Sequence, residues 1–178
     1  TSNGIPWTKW FVEGKTNLYK SSVEKFAKQT PEKIAYNFIS EDGIETKLSY
    51  VELNAKVSKL ANGFKSLGVK KGDVIAIYLP MIEEAIISIL AAAKIGAVQT
   101  IVFSGYSSES LKTRLQDCHA KILLTSDGFH RKGKAISQKT TVDNAVMDTD
   151  IEKIIVVAYK GIDEFEKSDK IQFYDELV

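Results

Sequence analysis

A chain of 178 residues, 44% hydrophobic and 26% charged, is long and apolar enough to bury one substantial core, which excludes a disordered segment and a coiled coil. Its net charge of +1 gives no global electrostatic case for binding nucleic acid or an anionic membrane. The single cysteine, Cys118, has no partner for an internal disulfide and suits a reducing cytoplasm.

The first residues, TSNGIPWTKWFVEGK, lack the apolar centre of a signal peptide and also lack a starting Met, so a trimmed or partial product is expected. Trp7, Trp10, Phe11 and Tyr19 stand among glycine and polar residues with no period, which reads as an extended aromatic arm. Ser21 or Ser22 can cap a short helix running to Lys28, with Pro31 marking its exit. Ile34 to Ile39 predicts a strand, Glu41-Asp42-Gly43 a turn, and Glu45 to Leu48 the returning strand of a hairpin. Ser49-Tyr50-Val51-Glu52 fits a capping box. Behind it Leu53, Val57, Leu60, Ala61, Phe64 and Leu67 recur at helical spacing, and Gly68 follows as the residue just past the helix end.

From Gly68 to Ser126 the pattern becomes strand, helix, strand, helix, strand. Val74–Tyr78, Val98–Phe103 and Ile122–Leu124 are the apolar runs. Between the first two lies a helix over Ile82–Ile95, apolar around most of its circumference, with Glu83 and Glu84 in its first turn and Lys94 in its last. Its apolar centre, Ile86–Ala93, is too short to span a bilayer. Ser107 can cap the next helix, whose inner face is Leu111, Leu115 and Cys118. A helix over 140–147 and a strand over Ile154–Val157 continue the alternation, and the residues after Tyr159 are acidic and weakly patterned. Such spacing implies crossover helices between parallel strands: a doubly wound, largely parallel α/β sheet flanked by helices. The organisation expected is an aromatic arm over 1–20, an α/β subdomain over 21–158 and a truncated connection over 159–178.

Ligands of doubly wound sheets dock beyond the carboxyl ends of the strands, here Leu79-Pro80, Phe103-Ser104-Gly105 and Ser126-Asp127-Gly128. Gly105, between a strand and a helix start, either opens the backbone to an anion or merely serves a tight turn. His130-Arg131-Lys132-Gly133-Lys134, with Lys139 behind, has no acid between Asp127 and Asp143 and reads as a phosphate-facing cluster or a solvated basic loop. Asp127-Gly128 reads as turn chemistry, and Asp73 as a turn residue ahead of its strand. Neither a complete G-x-G-x-x-G nor a P-loop occurs. His119 and His130 have no Cys, Asp or Glu at zinc-ligand spacing, so no metal site is expected. The chain order permits a Ser–His–Asp triad, but there is no G-x-S-x-G elbow to present the serine.

Leu67-Gly68-Val69-Lys70-Lys71-Gly72-Asp73, Ile77-Tyr78-Leu79-Pro80-Met81, Ala93-Lys94-Ile95-Gly96-Ala97 and Val102-Phe103-Ser104-Gly105-Tyr106-Ser107 follow one another in order. Arg114 with Asp117, Ala120-Lys121, Asp127-Gly128, Arg131-Lys132-Gly133-Lys134, Lys139 and Val142-Asp143 continue the series, while Trp10-Phe11 with Asn17 and Leu48 to Leu53 precede it. Together these blocks closely resemble the amino-terminal region of AMP-forming acetyl-CoA synthetases, members of the adenylate-forming enzymes. The likeness covers roughly residues 10 to 148. Lys20 to Lys25, Gln99, Ser104 and Tyr106 depart from the usual pattern, which marks a divergent relative and leaves acyl specificity open.

The resemblance implies a two-step ligase for acetate or a similar short-chain carboxylate. The carboxylate attacks the α-phosphate of ATP, giving an acyl-adenylate and pyrophosphate, and the thiol of coenzyme A then displaces AMP. ATP, coenzyme A and Mg2+ serve the full-length enzyme. The implied partners are these small molecules, with no nucleic acid and no membrane, and the rest of the same polypeptide is expected to cover the sheet. The family's phosphate loop, acyl pocket, ribose aspartate and mobile lysine have no counterpart here, so no catalytic residue is expected within this chain and it is expected to be inactive alone. By position, Arg131, Lys132, Gly133 and Lys134 match the loop that meets the 3′-phosphate end of coenzyme A, and Gly105 matches a glycine near that cofactor. Two other readings remain: a stand-alone, non-catalytic α/β binding module, and a related ligase for longer or aromatic acids.

Overall fold

Successive residues of a strand point to opposite faces of its sheet, so a strand apolar throughout must be covered on both sides. In the computed structural model, which describes residues 11–40, 43–161 and 164–178, this is the organising fact. Trp7 and Trp10 of the expected arm, and Glu41-Asp42 of the expected turn, lie outside the described residues.

An antiparallel hairpin, β1 (Ile34–Ile39) with β2 (Glu45–Ser49), leads into α2 (Tyr50–Ser66). Five parallel strands then form the main sheet: β3 (Val74–Tyr78), β4 (Val98–Ile101), β5 (Ile122–Ser126), β8 (Lys153–Val157) and β9 (Ile171–Phe173). Their spatial order is β4-β3-β5-β8-β9. The connecting helices are α3 (Glu83–Ile95), α4 (Ser108–Asp117) and α5 (Lys139–Ala145), while α1 (Lys25–Gln29) precedes the first hairpin. The doubly wound expectation is met.

Alternation in the strands divides the core in two. Ile75, Ile77, Ile122, Leu124, Ile155 and Val157 face α2 and α3 in one layer; Ala76, Tyr78, Leu123, Ile154 and Val156 face α4 and α5 in the other. All five residues of β5 are buried, as expected of a strand between two parallel neighbours. The order reverses between β3 and β5: the chain steps from β3 outward to β4, then crosses back to β5 on the other side. That reversal opens the crevice in which such sheets hold ligands.

Several local expectations hold. Ser49 and Glu52 form the reciprocal capping box on α2, Ser107 accepts from the N–H of Ser110 at the start of α4, and Gly68 takes a positive φ of 84° after α2. On α3, Glu83 of the first turn pairs with Lys56 of α2. Others require correction. Neither Ser21 nor Ser22 caps the first helical segment. Asn17 does so, its Oδ1 accepting from the N–H of Lys20 at 3.3 Å, while both serine hydroxyls donate to carbonyls one turn back. The segment begins as a π-turn over Lys20–Glu24 before tightening into α1. Beyond Tyr159, β9 adds a fifth parallel strand and Phe165 and Tyr174 are buried. A three-residue strand carries too little alternation to stand out among acidic neighbours.

Candidate functional site

The basic cluster is a β-hairpin, where a loop was expected. β6 (Gly128–Arg131) pairs with β7 (Lys134–Ser137), and Arg131 stands opposite Lys134 across the two-residue turn Lys132-Gly133. Lys132 and Gly133 have φ of 52° and 73°, the two positive values of a type I′ turn, whose twist matches that of paired strands. Glycine is therefore required at 133 by the turn itself. The chain bends at Asp127, between β5 and β6, and the hydrogen-bonded reversal follows at Lys132-Gly133.

Directly opposed residues share a face, so Arg131 and Lys134 present their cations together at the hairpin tip, while the His130–Ala135 pair lies on the other face. Arg131, Lys132 and Lys134 are exposed, and none has an ion-pair partner among the described residues. The neighbouring cations differ. Lys139 pairs with Asp143 four residues along α5, and the Nζ of Lys160 lies 3.1 Å from Nδ1 of His130. The cluster thus separates into cations already engaged and three that face solvent.

Gly105 follows β4 in the loop before α4 and is exposed. Its φ lies outside the left-handed range, and a Cβ added there would meet nothing within 4 Å. Gly105 lies in a hydrogen-bonded turn, the Tyr106 N–H donating to the Phe103 carbonyl at 3.1 Å, but neither a left-handed φ nor packing against the described residues demands glycine there.

A network of buried polar groups joins these two loops, and sequence reasoning missed it. The Tyr78 hydroxyl, at the end of β3, lies 2.9 Å from the carbonyl oxygen of Ser104 and 2.8 Å from that of Tyr106. Burial raises the pKa of this phenol, against a smaller lowering by the Gln138 side chain, so it stays protonated and able to donate. Gln138, 1% exposed, donates through Nε2 to the Ser104 carbonyl at 3.4 Å, and its Oε1 shares the single Ser126 hydroxyl proton with the Gly128 carbonyl. The buried carboxylate of Asp127 accepts the N–H groups of Tyr159 at 3.0 Å and Lys160 at 2.9 Å, which closes the end of β5 against that of β8. A phenol at the end of an apolar strand was the one signal available; nothing in the sequence marks Gln138 among its polar neighbours.

A separate concavity lies among other residues. A groove of about 430 Å³ runs between the β1–β2 hairpin and the ends of β3 and β8, lined by Phe38, Ile39, Ile44, Met81, Tyr159 and Lys160 among others. Neither Gly105 nor residues 131–134 line it; all of them are exposed. Among the described residues no group of three or more His, Cys, Asp or Glu is placed to hold a metal ion, and no helix is long and apolar enough to cross a membrane.

The pattern of the AMP-binding enzymes matches residues 23–176. The chain belongs to that family. It is 46% identical over 176 residues to the acetyl-coenzyme A synthetase of Methanothrix thermoacetophila, covering 97% of this chain and 27% of that protein. To the acetyl-coenzyme A synthetase of Streptomyces avermitilis it is 41% identical over 158 residues, covering 88% of this chain and 24% of the other. The solved structure of an acetoacetyl-CoA synthetase from Streptomyces lividans superposes with a TM-score of 0.85 at 26% identity, covering 97% of this chain and 26% of that one. The chain thus spans about a quarter of the length of the relatives it matches.

Proposed function

We propose that this chain is the amino-terminal part of an ATP-dependent, AMP-forming acyl-CoA ligase for acetate or a similar short carboxylate, and that its hairpin and Gly105 loop meet coenzyme A. The similarity to acetyl-coenzyme A synthetases supports the reaction class. ATP and Mg2+ belong to the parts of the full-length enzyme outside this chain, which by itself is not expected to catalyse the reaction. A cytoplasmic setting suits both the reaction and the single thiol.

The observation that carries the coenzyme A assignment is the pair Arg131 and Lys134, opposed on one face of a hairpin with no internal counter-charge among the described residues. An anion rich in phosphate oxygens supplies what these cations lack: the guanidinium can take two oxygens as a fork, and the ammonium adds a compact charge. Such groups bind and orient a substrate, and need not take part in bond making. The open space over Gly105 suits close approach of a ligand to the backbone there.

The full-length gene product, supplied with ATP, Mg2+, coenzyme A and a panel of carboxylates, should release pyrophosphate with acetate or propionate. Absence of pyrophosphate with every acid would overturn the ligase reading. In the same protein, combined Arg131→Ala and Lys134→Ala should raise the KM for coenzyme A roughly tenfold or more while leaving adenylate formation within about twofold. Equal damage to both half-reactions would argue against the coenzyme A role.

A further inference from the structure

We propose that Tyr78 and Gln138 are positioning residues that lock the Gly105 loop and the Arg131–Lys134 hairpin into one binding surface; this rests on the coenzyme A reading above. The two carbonyls gripped by the Tyr78 hydroxyl belong to Ser104 and Tyr106, the residues on either side of Gly105. One hydroxyl proton cannot serve both acceptors at once, so it is shared or alternates between them, and either way the Gly105 peptide is held at both flanks. Tyr78 sits on the strand between β4 and β5, so the grip comes from the inside of the sheet.

Gln138 supplies the second attachment. It follows β7 directly, and its backbone N–H donates to the carbonyl of Asp127 at 3.1 Å, which closes the root of the hairpin. Its amide then bridges outward: Oε1 accepts from Ser126 at the end of β5, and Nε2 donates to the same Ser104 carbonyl that Tyr78 holds. The Ser104 carbonyl is therefore the joint between the two halves of the surface. A phenol and a carboxamide, each 1% exposed, lose their hydration on folding and belong in a core only where every polar atom is satisfied. Among the described residues that condition is met, since no buried side-chain nitrogen or oxygen lacks a partner. Packing alone would be served as well by Phe and Met. What the polar versions add is a fixed distance between Gly105 and the paired cations, and a ligand touching both depends on that distance.

The test uses Tyr78→Phe and Gln138→Met in the full-length protein, with combined Arg131→Ala and Lys134→Ala as reference. Each single variant should raise the KM for coenzyme A about fivefold while adenylate formation stays within about twofold. In parallel, amide hydrogen exchange should quicken in Gln138→Met at residues 104–107 and 131–134 but not along β5. Unchanged exchange at 104–107, or equal loss of both half-reactions, would overturn the positioning role. If the reference variant raises the KM and the single variants do not, positioning fails and the coenzyme A reading stands. If the reference leaves the KM unchanged, the coenzyme A reading fails, and the exchange pattern alone then decides whether the two loops are coupled.

Discussion

Asp73 shows how one side chain can join the starts of two strands. Its carboxylate accepts the Lys70 N–H at 2.8 Å and pairs with the Lys121 ammonium at 2.9 Å, just ahead of β3 and β5 respectively. Both contacts favour the ionised form, the Lys70 hydrogen bond most and the Lys121 bond next, and they hold the carboxyl below its ordinary value of 3.8. In the unfolded chain the group titrates near that ordinary value. Its contribution to stability is therefore fully present above about pH 4 and is lost as pH falls through the lower, folded-state pKa. Asp73→Asn should lower the melting temperature by a few degrees at pH 7, and the two melting curves should converge on acidification below about pH 4. A gap that stayed constant down to pH 2 would sink this account. A turn role for Asp73 was legible in the sequence from the Lys-Gly-Asp context. The pairing with Lys121, 48 residues away, was not, because it depends on β3 and β5 being neighbours.

At the level of single elements, β4 departs from the rule that parallel strands are covered on both faces. Val98 is 52% exposed, Ile101 54% and Phe103, just beyond, 63%, whereas β3 and β5 are almost wholly buried. Among the described residues its outer edge has no partner strand, and it carries none of the lysine, proline or bulge that usually blunts an edge. The 178-residue chain should accordingly self-associate as its concentration rises, and Ile101→Lys should shift it toward monomer while leaving the unfolding temperature nearly unchanged. Sedimentation velocity on both proteins across a concentration series checks this; a wild-type chain as monomeric as the variant would rule it out. Elements with long periods were plain in the sequence. The capping box predicted the start of α2 and the apolar runs predicted β3 and β5, because local spacing and exit chemistry coincide there. The β6–β7 hairpin was not legible: its turn is Lys-Gly, without the usual Asn-Gly signal, and its strands are only four residues each.

Across the whole molecule, the amino-acid order by itself determined that apolar strands alternate with amphipathic helices, and hence that the sheet is parallel and doubly wound. It also placed Gly105 and the Arg131 cluster at strand ends, since connectivity alone assigns those positions. Only the tertiary structure decided the strand order β4-β3-β5-β8-β9, which brings the loop after β4 and the hairpin after β5 to either side of Tyr78. It likewise decided that three of the basic residues face outward with no counter-charge among the described residues while Lys139 has one, and that Gln138 bridges Ser104 and Ser126. The physical reason is the range of the interactions. Periodicity and capping act within a few residues and are written in the local sequence, whereas partners 26 to 34 residues apart meet only once the sheet has set its order.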